Sequence, residues 1–255
     1  MRKLLLFLIL ACSFAFSQIT VGGNAKIGGA VTMGASSGSA SPATNIGTGV
    51  FSFLAINNIT TTGTATAGGR IVVGIATNTI CSNGTSGFTG VTDSGSGGSN
   101  TYSQDLLLTG TSTKFFCFYS AHVSHTVSSG GTVTIACAVT SNCTFEAWAI
   151  YLTATGGVDS GTPNAAHNAF SGTITATAGG AVSGSDTCLA WFQGAATTSD
   201  GFGSPSNSFT GLFTTVVGNY GNVLMAYKSV SSGTPSSAVT TTNDEWGSGM
   251  VCYVN

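Results

Sequence analysis

The chain has very little charge. Lys and Arg total 6, Asp and Glu total 8, and charged residues are 5% of 255. A protein so poor in cations cannot neutralise many phosphates. That excludes nucleic-acid binding, or adhesion to anionic lipid, as its main work. Proline (4) and histidine (3) are also scarce. No two cysteines stand two to four residues apart with a histidine nearby, which argues against a structural zinc site. The one sustained apolar run, Leu4–Ala11, is too short to cross a bilayer. No segment combines a 3.6-residue apolar period with helix caps.

Low charge does not here mean disorder. The chain is 42% hydrophobic and 9% aromatic, so it has material for a core. Its polarity comes from Ser, Thr, Asn and 37 Gly. Thr suits the pleated surface of a strand, and Gly, Ser and Asn suit turns.

Arg2 and Lys3 precede the apolar run, and Ala15 and Ser17 are small residues before Gln18. This is the pattern of a secretory signal peptide over 1–17. A competing reading takes Ile9-Leu10-Ala11-Cys12 as a lipobox, with Cys12 lipidated. Cleavage before Gln18 would leave Lys26, Arg70, Lys114 and Lys228 against all eight acids.

In "VGGNAKIGGAVTMG", Val21, Ile27 and Met33 recur at a constant spacing, each followed by glycine. This resembles a hexapeptide stack or the collar of a fibre, but little more than two repeats are present. Residues 18–49 are read as that extended segment followed by a flexible Gly/Ser linker. Residues 50–255 are read as one β domain.

From Val50 onward, short apolar segments alternate with Gly, Ser, Asn and Asp. "RIVVGIAT", "KFFCFYSAHV", "GTVTIACAV", "CTFEAWAIYL", "TCLAWFQGA", "NVLMAYKSV" and "GMVCYVN" are the clearest strands. Val133, Ile135, Cys137 and Val139 show strict alternation. Many short strands joined by Gly-rich turns predict an all-β, antiparallel sandwich. "FFCFY" and "LAWF" are apolar on both parities, which places them in the middle of stacked sheets.

Without Cys12, the cysteines are Cys81, Cys117, Cys137, Cys143, Cys188 and Cys252. An even number in an exported chain favours disulfides. Cys137 and Cys143 flank "AVTSN" and would face each other across a hairpin there. Cys81 with Cys117 and Cys188 with Cys252 is a pairing by remainder.

"RIVVGIAT", "VTDSGSGGSNTYSQ", "KFFCFYSAHV", "GTVTIACAV" and "AWAIYLTATGGVD", taken in order, resemble a jelly-roll β-sandwich module of exported bacterial proteins of unknown role. The resemblance spans about residues 50–255. It implies a jelly-roll fold and a surface setting, and no reaction. The chain departs from that pattern in the expanded turn "SGSGGS" and in Ile150, where an acid often precedes the tyrosine matched by Tyr151.

Few residues offer chemistry. Glu146 lies inside an apolar strand with no acid or base on its face. It is read as a strand-face residue near solvent, or as an ion-pair partner of Arg70, Lys114 or Lys228. His122, His125 and His167 are read as loop histidines, with a shared metal as the rival. "GASSG" (34–38) matches Gly-x-Ser-x-Gly but lacks the strand-turn-helix setting that such a nucleophile needs. Asp93 and Asn100, in an oxygen-rich turn, are candidate calcium ligands. Asp244 and Glu245 beside Trp246 read as an acidic turn. Trp246, Tyr220 and Phe202, in polar and Gly-rich surroundings, are candidate platforms for a glycan.

The expected function is a non-enzymatic exported module for adhesion, surface structure or glycan binding. A carbohydrate-active enzyme, either lyase or glycosidase, on the same fold is the alternative. A subunit of an extracellular fibre is a further one.

Overall fold

The computed structural model describes residues 41–52, 54–77, 87–108, 115–138, 144–194, 201–217 and 221–255. The expectations for the signal peptide, the lead-in and Cys12 lie outside these residues. Among the described residues thirteen strands form: β1 (Ala43–Ser52), β2 (Ile56–Thr60), β3 (Arg70–Thr77), β4 (Phe88–Asp93), β5 (Ser103–Leu107), β6 (Phe115–His122), β7 (Thr132–Cys137), β8 (Thr144–Leu152), β9 (Asn164–Thr177), β10 (Asp186–Gly194), β11 (Thr210–Val217), β12 (Gly221–Val230) and β13 (Ser236–Val254). Among the described residues there is no helix, and every strand pairing is antiparallel. The sheets begin before Val50: β1 occupies part of the expected linker, because "ATNIG" buries Ala43 and Ile46.

The strands make three sheets, ordered β1-β8-β3-β6-β5, β2-β7-β4 and β11-β12-β10-β13-β9. In the first half of the chain the pairs nest: β1 with β8, β2 with β7, β3 with β6. The first sheet lies between the other two. Ile71, Val73 and Ile75 of β3 pack with Ile59, Val133 and Ile135 of the small sheet. Val72 and Ala76, on the opposite face, pack with Leu189, Trp191, Met225 and Val251 of the third sheet. Both faces of β3 are therefore in a core, and all its residues are buried. The double-parity apolar strands reflect this middle position, in a stack deeper than two layers.

The second half retraces the first. Read from its other edge, the third sheet runs β9-β13-β10-β12-β11, the same path as β1-β8-β3-β6-β5. The long strands β9 and β13 each do the work of two. Asn164 to Asn168 pair with Met250 to Trp246, as β1 pairs with β8. Thr173–Thr177 pair with Thr240–Ser236, as β2 pairs with β7. Gly203 N and Ser206 N donate to Thr240 O and Ala238 O, filling the place of β4. The break in register near Asp244 lets this part turn over the outer face of the third sheet. A further core results there, containing Ile174, Cys188, Phe192, Leu224, Val239, Trp246 and Met250.

Core membership obeys the same correspondence. Ile71 maps to Cys188, Gly74 to Trp191, Phe118 to Met225, Trp148 to Gly249 and Leu106 to Phe213, each at the matching position in register. Contacts across the shared interface are reciprocal. Phe213 stacks on Trp148 at 4.9 Å, and Leu106 lies against Gly249, whose absent side chain makes room for it.

Cys188 and Cys252 are directly opposed on β10 and β13 and form a disulfide, with Cα atoms 3.9 Å apart. Cys252 N does not donate across this pairing; it donates to Thr162 Oγ1, and Cys252 O accepts from Asp159 N. The two cysteines are thus a non-hydrogen-bonded pair, the geometry in which opposed residues come closest. Cys117 and Cys137 are also disulfide-bonded. Their expected partners, Cys81 and Cys143, lie outside the described residues.

Candidate functional site

Glu146 is neither near solvent nor ion-paired, which corrects the expectation for it. It is 4% exposed, and its Oε2 has no hydrogen-bond partner. It pairs in register with Val50 and Ala76, and strand parity places it on the same face as Trp148. Burial raises its pKa to about 7. The two-sheet interface thus holds a carboxyl that is largely neutral below that pH.

A carboxyl pair, Asp159 and Asp186, lies at the start of β10, its members too far apart in sequence for any motif to link them. Asp186 is fully buried, and neither of its oxygens accepts a donor. Burial, then the hydrogen bond and negative charge of Asp159, raises Asp186 to about 6. Asp159 is held low, chiefly by the backbone N–H and hydroxyl of Ser183; Ser183 N donates to Asp159 Oδ2 at 2.6 Å. One proton on Asp186, donated to ionised Asp159, satisfies the pair. Asp186 is fully buried and Asp159 is 7% exposed, so little of the pair is open to solvent.

Arg70, Asp105, Ser120 and Tyr253 form a polar bridge between the first and third sheets. Arg70 Nη1 donates to Ser120 Oγ at 2.8 Å, and Nε donates to Gly156 O at 2.9 Å. The guanidinium lies 5.6 Å from the Tyr253 ring centroid. Tyr253 donates its phenolic proton to Asp105 Oδ2 at 2.8 Å. Burial raises Asp105, opposed by hydrogen bonds from Ser120 and Tyr253 and by the charge of Arg70. Tyr253 is raised well above its usual value by burial and by Asp105. An acid, a cation and a phenol meet here, but the phenol is wholly buried.

Asp93 and Asn100 do come together, and they meet each other. Asn100 Nδ2 donates to Asp93 Oδ2 at 2.8 Å, and Tyr102 donates to the same oxygen at 2.8 Å. Gly95 N and Asn100 N donate to Asp93 Oδ1. Asn100 Oδ1 accepts from Ser124 N and His125 N. The oxygens of these two candidate calcium ligands are turned to protein donors and close the loop. Among the described residues no group of three His, Cys, Asp or Glu is placed to hold a metal. His122 and His167 lie on different sheets, and His125 Nδ1 sits 3.1 Å from Ser96 O.

Of the three aromatics read as candidate glycan platforms, Trp246 is not a surface residue. Trp246 is 6% exposed and belongs to the outer core, with half-buried Phe202 packed against the same cluster. The Gly-rich flanks of Trp246 reflect the strand crossing, where small residues let layers approach. Tyr220 lies outside the described residues, as do the side chains of Asp244 and Glu245.

A groove of about 400 Å³ opens between the turn 206–209 and the segment 232–236. Asn207 and Ser208 have φ of 56° and 61°, and Phe209 N donates to Ser206 O. This is the two-residue turn of the hairpin type, in which asparagine tolerates the left-handed conformation. Lys228 Nζ donates to Asn207 O at 2.8 Å and lies 5.9 Å from the Phe209 ring centroid. Nothing in the sequence flagged this groove, because its residues come from three separate segments.

Comparison with known proteins finds no matching family model, no matching curated protein and no matching solved structure.

Proposed function

We propose that the protein is an exported surface module that acts by binding, without catalysis, and that a glycan is its partner. One observation carries this reading: each carboxylate whose surroundings are described is either buried or engaged in bracing the fold. Asp93 closes a loop, Asp105 anchors Tyr253, Asp159 holds Ser183 and Asp186, and Glu146 is buried. Acid–base work on a polymer needs a carboxyl or phenol that substrate can reach. The exported setting rests on the N-terminal pattern and on the hydroxyl-rich, charge-poor composition.

The nested pairing of β1 with β8, β2 with β7 and β3 with β6 supports reading the first half as a jelly roll, with β5 added to the first sheet. The second half then repeats that plan with merged strands. A glycan array, followed by an assay for new reducing ends and unsaturated products on each bound polysaccharide, tests the proposal. Binding without product is expected; turnover would replace it with the enzyme alternative.

A further inference from the structure

The two halves differ in the link that follows the β4 position. In the first half, residues 93–102 link β4 to β5 and lie on the turn after β6. Ser96 N donates to Thr126 O, and Asn100 bridges to Ser124 and His125. Register matches Ser103 to Thr210, Ser120 to Tyr227 and Thr132 to Ser236. On that correspondence, only residues 207–209 make the same link in the second half. The ground covered in the first half by residues 94–100 is therefore the groove beside Lys228.

The side chains around that groove differ in kind from those they replace. Lys228 stands where the first half has Ala121. One ammonium hydrogen is held by Asn207 O, which fixes the head of the side chain, and two remain for a ligand. Asn207 Nδ2 donates to Ser236 O, and the exposed Asn207, which lines the groove, has its amide oxygen as a further acceptor. Ser208, Ser232 and Thr234 are exposed along the rim. A fixed cation among hydroxyls and an amide suits a carboxylate carried on a polyol.

We propose that this groove binds a carboxylated saccharide. Lys228 takes the carboxylate, while Asn207, Ser208 and Thr234 take ring hydroxyls. The idea rests on the glycan-binding reading and narrows it to one site and one class of sugar.

The test is calorimetric titration of the purified chain with hexagalacturonate and with a neutral galactose hexamer, at low and moderate salt. Stronger binding of the acidic oligomer is expected, weakening as salt rises. Lys228→Met should lower that affinity about tenfold or more, and Lys228→Arg should keep it within a few-fold. Ser232→Trp, which intrudes on the rim, should also weaken it. Thermal melts of each variant must match the parent for these results to count, and the rim variant serves if Lys228→Met fails to fold. Equal binding of both oligomers, unchanged by Lys228→Met, overturns the groove and leaves the glycan reading standing. No binding of hexagalacturonate overturns the proposal as well, and the array then decides whether any glycan is bound.

Discussion

Trp191 stands over Gly74. A Cβ built on Gly74 would lie 2.9 Å from Trp191 Cζ3 and 3.1 Å from the Phe118 ring. The two positions correspond in the two halves, so one sheet offers a hole where the other offers the largest side chain. Trp148 meets Trp191 edge to face at 5.2 Å, and its own counterpart is Gly249. The interface is thus an exchange of bulk between related positions.

That exchange predicts coupling. Gly74→Val forces a side chain into occupied space and should cost about 1–3 kcal/mol. Trp191→Ala should cost about 3–5 kcal/mol through the cavity left behind. In the double variant, the valine enters that cavity, so the combined loss should be smaller than the two single losses together. Urea denaturation of the four proteins measures it. Strict additivity would show that the two residues do not share the space.

The Cys188–Cys252 bridge joins strands far apart in sequence, with a separation of 64. Closing a loop of that length restricts the unfolded chain by about 4 kcal/mol in the chain-entropy account. Replacing both cysteines with Ala should therefore lower the melting temperature by many degrees without altering the far-ultraviolet spectrum. Peptide mapping without reductant should recover the 188–252 linkage; a different linkage for Cys188 would refute the strand register drawn here.

Glu146 and Asp186 are acids whose folded pKa values, about 7 and about 6, lie above the ordinary 4.5 and 3.8. Between the ordinary and raised values, the folded state holds protons that the unfolded state has released. Their protonated forms are compatible with burial, so stability is greatest at the acid end of this window and falls as pH rises through it. Asp159, held low, acts in the opposite sense, and only in more acid solution. Denaturation midpoints should decline from pH 5 to pH 8. Glu146→Gln should remove much of the upper part of that slope, on the order of 2–3 kcal/mol. A wild-type profile that is flat above pH 5 would contradict the burial of these carboxyls.

Strand positions were readable where apolar runs were bounded by turn residues. "RIVVGIAT" became β3 residue for residue, and the alternation at Val133 and Ile135 marked β7. β2, "INNIT", was missed because its two asparagines mask the alternation of Ile56 and Ile59. The doubling of the fold was hidden because corresponding residues exchange size, Gly74 for Trp191 and Trp148 for Gly249. The string "TATAGG" does occur twice, at 64–69 and 175–180, but out of step with the structural correspondence. Gly-rich flanks suggested an exposed Trp246, when the glycines permit close packing of layers around it. Asp93 and Asn100 share one Gly-rich turn, but composition alone does not say which donors face them.

Asn100 is the hub of that turn, 4% exposed and bonded four ways. Removing its amide leaves Ser124 N and His125 N without their acceptor and frees Asp93 Oδ2 from one donor. Asn100→Ala should therefore cost about 2–4 kcal/mol, more than one ordinary hydrogen bond, because two part-buried backbone donors lose their shared acceptor at once. Asn100→Asp keeps an acceptor but sets a second carboxylate against Asp93, so it should be destabilising in the absence of divalent ions. If the turn is a brace made of protein donors alone, added calcium or a chelator should leave the melting temperature of the parent unchanged. A rise of several degrees with calcium would instead assign Asp93 and Asn100 to a cation, and would require the Asn100 amide to turn away from Asp93 when the ion binds.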